Sequence, residues 1–347
     1  MWDLLKELLV YSALVPPALL ASFSYLSDLL TGRGRVFSPD ADICDLSGKI
    51  ILVTGGNGGI GKETVLRLAK HDPGKVYLAS RDASKARKAI SDIKKFVPTA
   101  EISHLQLDLM SFDSIVEAAR RIVQECSRLD IVILNAGIMA TPYHTTEEGF
   151  EAQFGTNYVG HALLTKLLLP TMMETTKLPG ADVRIISVSS MGHHMAPKGG
   201  IVFDPEVHKT LTPAQLYGQS KLANILHAKA LATRYPDITS VAVHPGLIKT
   251  DLYGSVKRSF WLVRVVLTSV GSLVLSGVEF GALNQLWAAT APREMVFNGT
   301  YYMPVGKRMG AHKYAKDNQL ANKLFDWTEA EFAKHGIEKR TNFISRG

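Results

Sequence analysis

The chain contains only two cysteines among its 347 residues, Cys44 and Cys126. Two distant cysteines provide neither a disulfide framework nor the ligand spacing of a zinc site, so we expect a reducing compartment and no metal. The chain also lacks a block of five or six basic residues, although its net charge is +7. Scattered cations argue against a nucleic-acid partner and favour attraction to an anionic cofactor or a membrane surface.

The N-terminus carries the longest stretch without charge before the main domain, from Leu8 to Ser27. Its length approaches that of a membrane-spanning helix, but Pro16-Pro17 would kink it, which favours a bent or interfacial anchor. The opening residues lack the basic region of a signal peptide. Residues 1–45 are therefore predicted to form a hydrophobic anchor and linker, the alternative being a soluble helix packed on the domain or in a dimer interface.

The rest of the chain, residues 46–347, is predicted to be one catalytic domain. Runs rich in apolar and β-branched residues predict strands, and longer periodic segments between them predict helices. Such alternation is typical of an α/β fold, a doubly wound, Rossmann-type parallel sheet with helices on both faces. The predicted strands are Lys49–Val53, Lys75–Ala79, Ile102–Leu107, Asp130–Leu134, Val183–Val188, Thr239–His244 and Thr300–Pro304.

A glycine-rich turn follows the first predicted strand and opens a helix. Its spacing is Gly-x-x-x-Gly-x-Gly, formed by Gly55, Gly59 and Gly61, with Asn57 and Ile60 between them. We expect the turn to need unusual backbone angles and to present a helix N-terminus to a pyrophosphate. A tight turn without a ligand is the alternative interpretation.

The end of the second predicted strand indicates which dinucleotide would bind. An NAD site usually places an acidic residue there to bind the ribose 2′-hydroxyl, but this chain has Arg81, with Lys85 one turn further on. A guanidinium can bind a 2′-phosphate through charge-assisted hydrogen bonds. The sequence therefore predicts NADP(H), and the alternative is that Arg81 is an ordinary surface cation and the cofactor NAD(H).

Tyr217 and Lys221 are the candidate catalytic pair. Residues four apart share a helix face, so the Lys221 ammonium can lie near the Tyr217 phenol and favour its ionised form. A phenol ordinarily has a pKa of about 10, and a neighbouring cation would bring it towards the working pH of a general acid/base.

Together these motifs resemble the short-chain dehydrogenase/reductase family over roughly Leu46 to Pro304. The resemblance implies further roles by position. Asp108-Leu109 matches the adenine contact, Asn135 begins the Asn-Ala-Gly motif, and Asn157 matches the helix asparagine that holds a water in the proton relay. Ser190 matches the hydroxyl that binds the substrate carbonyl, with Ser189 as a rival. The segment that begins with His244-Pro245-Gly246 matches the family's Pro-Gly segment, in which the Ile248 backbone and Thr250 would face the nicotinamide carboxamide.

Within the family the chain is similar to the retinol dehydrogenase and WW-domain oxidoreductase branch, and to fungal members of it. The Ser-Lys-Leu-Ala-Asn run after Tyr217 and the pair His193-His194 carry that similarity. We expect these two histidines to be solvated loop residues without chemistry. The apolar stretch within about residues 251–280 corresponds to the family's mobile substrate lid, so an apolar substrate is expected. A buried helix in a homodimer interface is the alternative.

The resulting prediction is an NADP(H)-dependent enzyme that interconverts a lipophilic alcohol and its ketone or aldehyde. We expect it on a membrane, at the endoplasmic reticulum or a lipid droplet with a cytosolic catalytic domain, or else in the cytoplasm. The alternatives are a secondary-metabolite ketoreductase and a non-catalytic NADP(H)-binding sensor or scaffold.

Overall fold

Seven parallel strands form the centre of the fold. The computed structural model describes residues 37–246, 277–308 and 311–341. The sheet order is β3-β2-β1-β4-β5-β6-β7. The strands β2 and β3 are thus added on one side of β1, and β4 to β7 are added on its other side, so the strand order reverses between β1 and β4. The strands are β1 Ile50–Thr54, β2 Lys75–Ser80, β3 Ile102–Gln106, β4 Ile131–Leu134, β5 Arg184–Val188, β6 Thr239–Val243 and β7 Tyr301–Tyr302. The predicted parallel sheet is confirmed, with each strand within two residues of its predicted bounds.

Helices cover both faces of this sheet. The numbered helices are α1 Gly59–Ala69, α2 Ala83–Lys94, α3 Phe112–Glu125, α4 Gly160–Thr176, α5 Pro213–Arg234, α6 Val278–Thr290, α7 Asn318–Lys334 and α8 Ile337–Thr341. Two four-residue helices, Pro39–Asp42 and Pro205–His208, are not numbered. A short helical segment, Ala152–Phe154, and a π-helical turn, Gly155–Val159, lead directly into α4. The sequence did not lead us to predict α2 or α7.

The alternation of side chains along each strand divides the core into two layers. Leu52 of β1 packs on the face covered by α3, α4 and α5, whereas Ile51 and Val53 pack on the face covered by α1, α2 and α6. All five residues of β5 and all five of β6 are buried. Burial on both faces fits the continuously apolar run of β4, whereas β5 and β6 also bury polar residues, among them Arg184 and Ser240.

The N-terminal anchor predicted at Leu8 to Ser27 and most of the lid predicted at about residues 251–280 lie outside the described residues. Among the helices within the described ranges, none combines the length and apolar character needed to cross a membrane.

Candidate active site

The glycine-rich turn between β1 and α1 is closely packed. Gly55 has φ +68°, a conformation that side chains rarely adopt. A Cβ added at Gly61 would lie 2.3 Å from the Gly55 carbonyl oxygen, so α1 can approach the turn this closely only with glycine there. Gly58 precedes α1 without a side-chain cap, which leaves the first amides of the helix available to a ligand. Asn57 and Ile60 are half-buried beside it.

Asn135 ties the end of β4 to the end of β1. Its amide N–H donates to Thr54 Oγ1 at 2.9 Å, and its side-chain Nδ2 donates to the Thr54 carbonyl at 2.9 Å. The neighbouring Ala136 N–H also donates to Thr54 Oγ1, at 3.0 Å. These bonds fix the turn exactly where the strand order reverses, which is where open α/β sheets bind their ligands.

Two further predicted cofactor residues follow β3. Asp108 is half-buried, and its Oδ1 accepts the Met110 N–H at 3.0 Å. Leu109 is buried, and its carbonyl oxygen would lie 2.5 Å from a Cβ at Gly160, so α4 packs directly on it. Both residues therefore lie at the carboxyl edge of the sheet, on the same side as the glycine-rich turn.

Arg81 directly follows β2 and is exposed to solvent. Within the described part of the chain, its guanidinium forms no ion pair. Lys85 is 71% exposed and lies 3.7 Å from Asp82 Oδ2. The Asp82 carboxylate caps α2 by accepting from the Ser84 and Lys85 amides, and these bonds, first that from Lys85, lower the pKa of Asp82. The acidic neighbour of Arg81 is thus engaged with the helix.

Tyr217 and Lys221 lie one turn apart on α5, and both are 4% exposed. The Lys221 ammonium lies 5.8 Å from the centre of the Tyr217 ring and donates to the Val188 carbonyl at 3.0 Å. Burial lowers the pKa of Lys221 to about 8. A buried ammonium beside a phenol is the arrangement that the sequence spacing predicted.

The turn after β5 brings Ser190 to the same place. Ser190 Oγ accepts the Gly192 N–H at 3.0 Å and caps the helical turn Met191–Met195. A Cβ at Gly192 would lie 2.6 Å from Tyr217 Cε1, so this turn packs on the Tyr217 ring. The rival Ser189 is buried, and its hydroxyl donates to the Lys221 carbonyl at 2.7 Å. Ser189 therefore supports the helix, and Ser190 is the half-buried member of the pair.

Asn157 lies in the π-helical turn and is fully buried. Its side chain accepts the Ile138 N–H at 2.8 Å and donates to the Ile138 carbonyl and to Ser220 Oγ, each at 2.9 Å. A Cβ at Gly137 would lie 3.1 Å from Asn157 Oδ1 and 3.3 Å from Lys221 Nζ. The side chains of Asn157 and Lys221 therefore both lie next to Gly137.

The structure thus brings Tyr217, Lys221, Ser190 and Asn157 together beside the glycine-rich turn. Ile248 and Thr250 lie outside the described residues. The glycine cradle that a Cβ would fill and the exposed guanidinium at the end of β2 fit a phosphorylated dinucleotide. Within residues 37–246, 277–308 and 311–341, no three histidines, cysteines or carboxylates are grouped so as to hold a metal ion.

The expectation that His193 is a solvated loop residue is wrong. His193 is fully buried, its Nδ1 donates to the Ser190 carbonyl at 2.6 Å, and its Nε2 accepts the His312 N–H at 3.1 Å. Burial lowers the pKa of His193 to about 3, so the ring is neutral. A second buried histidine, His161, was not singled out at all. The sequence neighbours on either side of each histidine, which are glycine, alanine and histidine, give no signal of burial, so only the contacts in the folded chain identify their roles.

Comparisons with known proteins agree with this geometry. A profile of the short chain dehydrogenase family matches residues 49–259. The short-chain dehydrogenase/reductase drtF of Aspergillus calidoustus is 41% identical over 84% of this chain and 96% of its own length. Retinol dehydrogenase 13 of Homo sapiens is 37% identical over 82% of this chain and 84% of its own. A crystal structure of an uncharacterised protein from Mycobacterium paratuberculosis superposes with a TM-score of 0.65 at 29% identity, covering 85% of this chain and 97% of that one.

Proposed function

The chain belongs to the short-chain dehydrogenase family, and we propose that it is an NADP(H)-dependent oxidoreductase that interconverts a lipophilic alcohol and its ketone or aldehyde. One observation carries the proposal. The buried pair Tyr217 and Lys221 lies against the Ser190 turn, at the edge of the sheet where the Gly55 turn and Arg81 also lie.

The proposed chemistry needs a hydride and a proton. A bound nicotinamide cofactor supplies or accepts the hydride. In carbonyl reduction, the Tyr217 hydroxyl gives its proton to the substrate oxygen while Ser190 holds that oxygen as negative charge develops on it. Alcohol oxidation runs the same steps in reverse, with Tyr217 as the base.

Lys221 and Asn157 support the proton transfer in this proposal. The Lys221 ammonium favours the phenolate form of Tyr217, because an opposite charge stabilises an ionised group nearby. The pKa of Lys221, lowered to about 8 by burial, leaves the ammonium charged at neutral pH. Asn157 lies beside Lys221 across Gly137, where it can connect the pair to solvent through ordered water.

The preference for NADP(H) is supported by Arg81. Its exposed guanidinium directly follows β2, at the position where an NAD site would have a carboxylate. The Asp82 carboxylate next to it is engaged with the amides of α2. A 2′-phosphate at this edge would therefore meet a cation that can form two charge-assisted hydrogen bonds.

A lipophilic substrate is supported by the surroundings of Tyr217. Met195 and Ala214 form a small buried cluster with the tyrosine, and Met139 packs against it. The Tyr217 ring is thus bordered by the thioethers of the two methionines and the methyl group of the alanine. Flexible thioether side chains can adapt to apolar ligands of varied shape. Two similar proteins are named retinol dehydrogenases, and retinol is an alcohol of this kind.

The test is NADPH consumption by full-length protein with decanal, retinaldehyde and a steroid ketone. We expect turnover by the wild type and loss of turnover in Tyr217→Phe, which keeps the ring but has no proton to give. Binding of NADPH should survive in that variant. Tyr235→Phe, at the opposite end of α5, is the matched control and should remain active.

The outcome also decides between enzyme and scaffold. A fully active Tyr217→Phe variant would show that the proton comes from elsewhere. Tight NADPH binding by the wild type without turnover of any carbonyl would favour the non-catalytic sensor or scaffold.

A further inference from the structure

His161 lies in the first turn of α4 and is 2% exposed. Its ring bonds to Thr54, the residue before the glycine-rich turn, and to the carbonyl of Asn157. The side chain of Asn157 lies beside Lys221 across Gly137. Burial, with a smaller contribution from the charge of Lys221, lowers the pKa of His161 to about 4, although the hydrogen bond with the Asn157 carbonyl acts in the opposite direction. The imidazole is therefore neutral at physiological pH and carries a single hydrogen.

The hydrogen-bond partners determine which ring nitrogen holds that hydrogen. Nδ1 lies 3.0 Å from the Asn157 carbonyl oxygen, which can only accept, so Nδ1 donates. Nε2 is then an acceptor, and it lies 2.9 Å from Thr54 Oγ1. The Thr54 hydroxyl therefore donates to His161, since the carbonyl of Ile133, its other acceptor, is more distant at 3.5 Å.

The Thr54 hydroxyl is fully used by this arrangement. Its oxygen already accepts from the Asn135 and Ala136 amides at 2.9 and 3.0 Å. With its hydrogen directed at His161, neither a lone pair nor a hydrogen is left over. Thr54 is also the last residue of β1, and Gly55 of the cofactor turn follows it immediately.

The other end of the imidazole reaches the proton-transfer region. Asn157 belongs to the π-helical turn, and its side chain bonds to Ile138 in the loop after β4 and to Ser220 on α5. Ser220 immediately precedes Lys221 on α5. One buried ring thus joins the strand that carries the cofactor turn to the turn that packs behind the catalytic helix.

We propose that His161 is a positioning residue, whose neutral ring holds the end of β1 and the Asn157 carbonyl at a fixed separation. Its Nε2 side sets the position of the cofactor turn, and its Nδ1 side sets the position of the proton relay. We call these two roles the cofactor half and the relay half of the proposal. The relay half rests on the proposed function, whereas the cofactor half requires only that the chain binds a dinucleotide.

Two amide variants separate the two halves. Asn has a shorter side chain whose Nδ2 can replace His161 Nδ1, so His161→Asn keeps the donor to Asn157 and removes the acceptor for Thr54. Gln is longer, so His161→Gln keeps an acceptor for Thr54 through its Oε1 and removes the donor to Asn157.

The measurements are the dissociation constant of NADPH, from its fluorescence, and kcat for the carbonyl of the earlier panel that the wild type turns over. His161→Asn should weaken NADPH binding by about tenfold with kcat within about threefold, because a buried hydroxyl loses its acceptor. His161→Gln should show the opposite pattern, a kcat lower by about tenfold with NADPH affinity nearly unchanged.

A buried histidine on α5, His227, is the matched control. Its ring packs on Tyr158 and Phe325, and among the hydrogen bonds of the described residues it forms none with Thr54 or Asn157. The variants His227→Asn and His227→Gln should lower thermal stability without separating affinity from kcat. The proposal is overturned if the two His161 variants change both quantities in parallel, or change neither.

A second pair of variants covers the case in which a His161 variant does not fold. Thr54→Val removes the hydroxyl and Thr54→Ser retains it, so NADPH affinity should fall in the first and be preserved in the second. Equal affinity in both would overturn the cofactor half. If the wild type turns over no carbonyl, the proposed function fails, but the NADPH measurements still test His161 and Thr54.

Discussion

At the scale of single residues, Arg81 gives the most direct test of cofactor choice. Replacing it with serine removes the exposed cation after β2, so the preference for NADPH over NADH should fall by at least about tenfold, the loss expected for a charge-assisted hydrogen bond. Arg87→Ser, an exposed residue on α2, is the matched control. Dissociation constants for both cofactors check the prediction, and an unchanged ratio in Arg81→Ser would contradict it.

Lys221 should make stability depend on pH. Its pKa is lowered from 10.5 to about 8 by burial, so between these values the unfolded chain holds one more proton than the folded chain. The free energy of unfolding should therefore rise with pH across this window, by up to about 3 kcal/mol from this group.

The variant Lys221→Met should lack that rise, because its side chain is uncharged at every pH. The Val188 carbonyl would keep its second donor, Asn224 Nδ2 at 3.2 Å. Urea unfolding of the wild type and the variant at pH 7, 9 and 10 gives the difference, with the exposed Lys198→Met as control. A constant difference between wild type and Lys221→Met would mean that the ammonium is not buried in solution.

Residue types at fixed spacing allowed much of the candidate site to be predicted. Tyr217 and Lys221 are four apart on one helix, so their proximity follows from helix geometry alone. The choice between Ser189 and Ser190 could not be made this way, because it depends on the Lys221 carbonyl that takes the Ser189 hydroxyl. The role of His161 and the burial of His193 could not be predicted for a similar reason, since the Thr54 partner of the first and the His312 partner of the second are distant in sequence.

At the scale of elements, the junction of β1 and α1 contains two glycines that differ in whether there is space for a side chain. A Cβ at Gly61 would meet the Gly55 carbonyl oxygen at 2.3 Å, whereas a Cβ at Gly58 has nothing within 4 Å. Gly61→Ala should therefore displace the turn, with a loss of about 1–3 kcal/mol in unfolding free energy and at least about tenfold weaker NADPH binding. Gly58→Ala is the matched control, and it should change the unfolding free energy and the NADPH affinity only slightly.

Chemical denaturation and NADPH titration of these two variants check the prediction. Equal effects at both positions would show that the turn can relax around a methyl group at Gly61. A loss of affinity confined to Gly61→Ala would support the close packing of α1 as the basis of the dinucleotide site.

The strands were predictable because parallel strands buried on both faces are rich in apolar and β-branched residues, and β4 is apolar throughout. The polar residues of β5 and β6, such as Arg184 and Thr239, interrupt this pattern without ending the strands. The missed helices have weaker signals. The segment of α2 is rich in charged and small residues, with only Ala86, Ala89 and Ile93 buried. The change from π-helical to α-helical geometry at Gly160 could not be predicted either, because Gly155 and Gly160 look like ordinary helix interruptions in the sequence.

At the scale of the whole molecule, we propose that residues 8–27 attach the enzyme to a membrane. Their uncharged, apolar sequence is the support for this proposal. Deleting residues 1–30 should move the protein from the membrane fraction to the supernatant without loss of NADPH binding, since the described sheet and site begin after residue 36. Sedimentation of the deletion variant with membranes, as for the full chain, would contradict the anchor.

The strand order also has a consequence for how the chain is made. Since β1 lies between β2 and β4, one of its edges stays unpaired on the ribosome until Ile131–Leu134 has emerged. Thr54, at the end of β1, finds its amide partners only then. A nascent chain that stops at β3 therefore has a complete glycine motif in its sequence but no finished nucleotide site, and it presents an open apolar strand to chaperones.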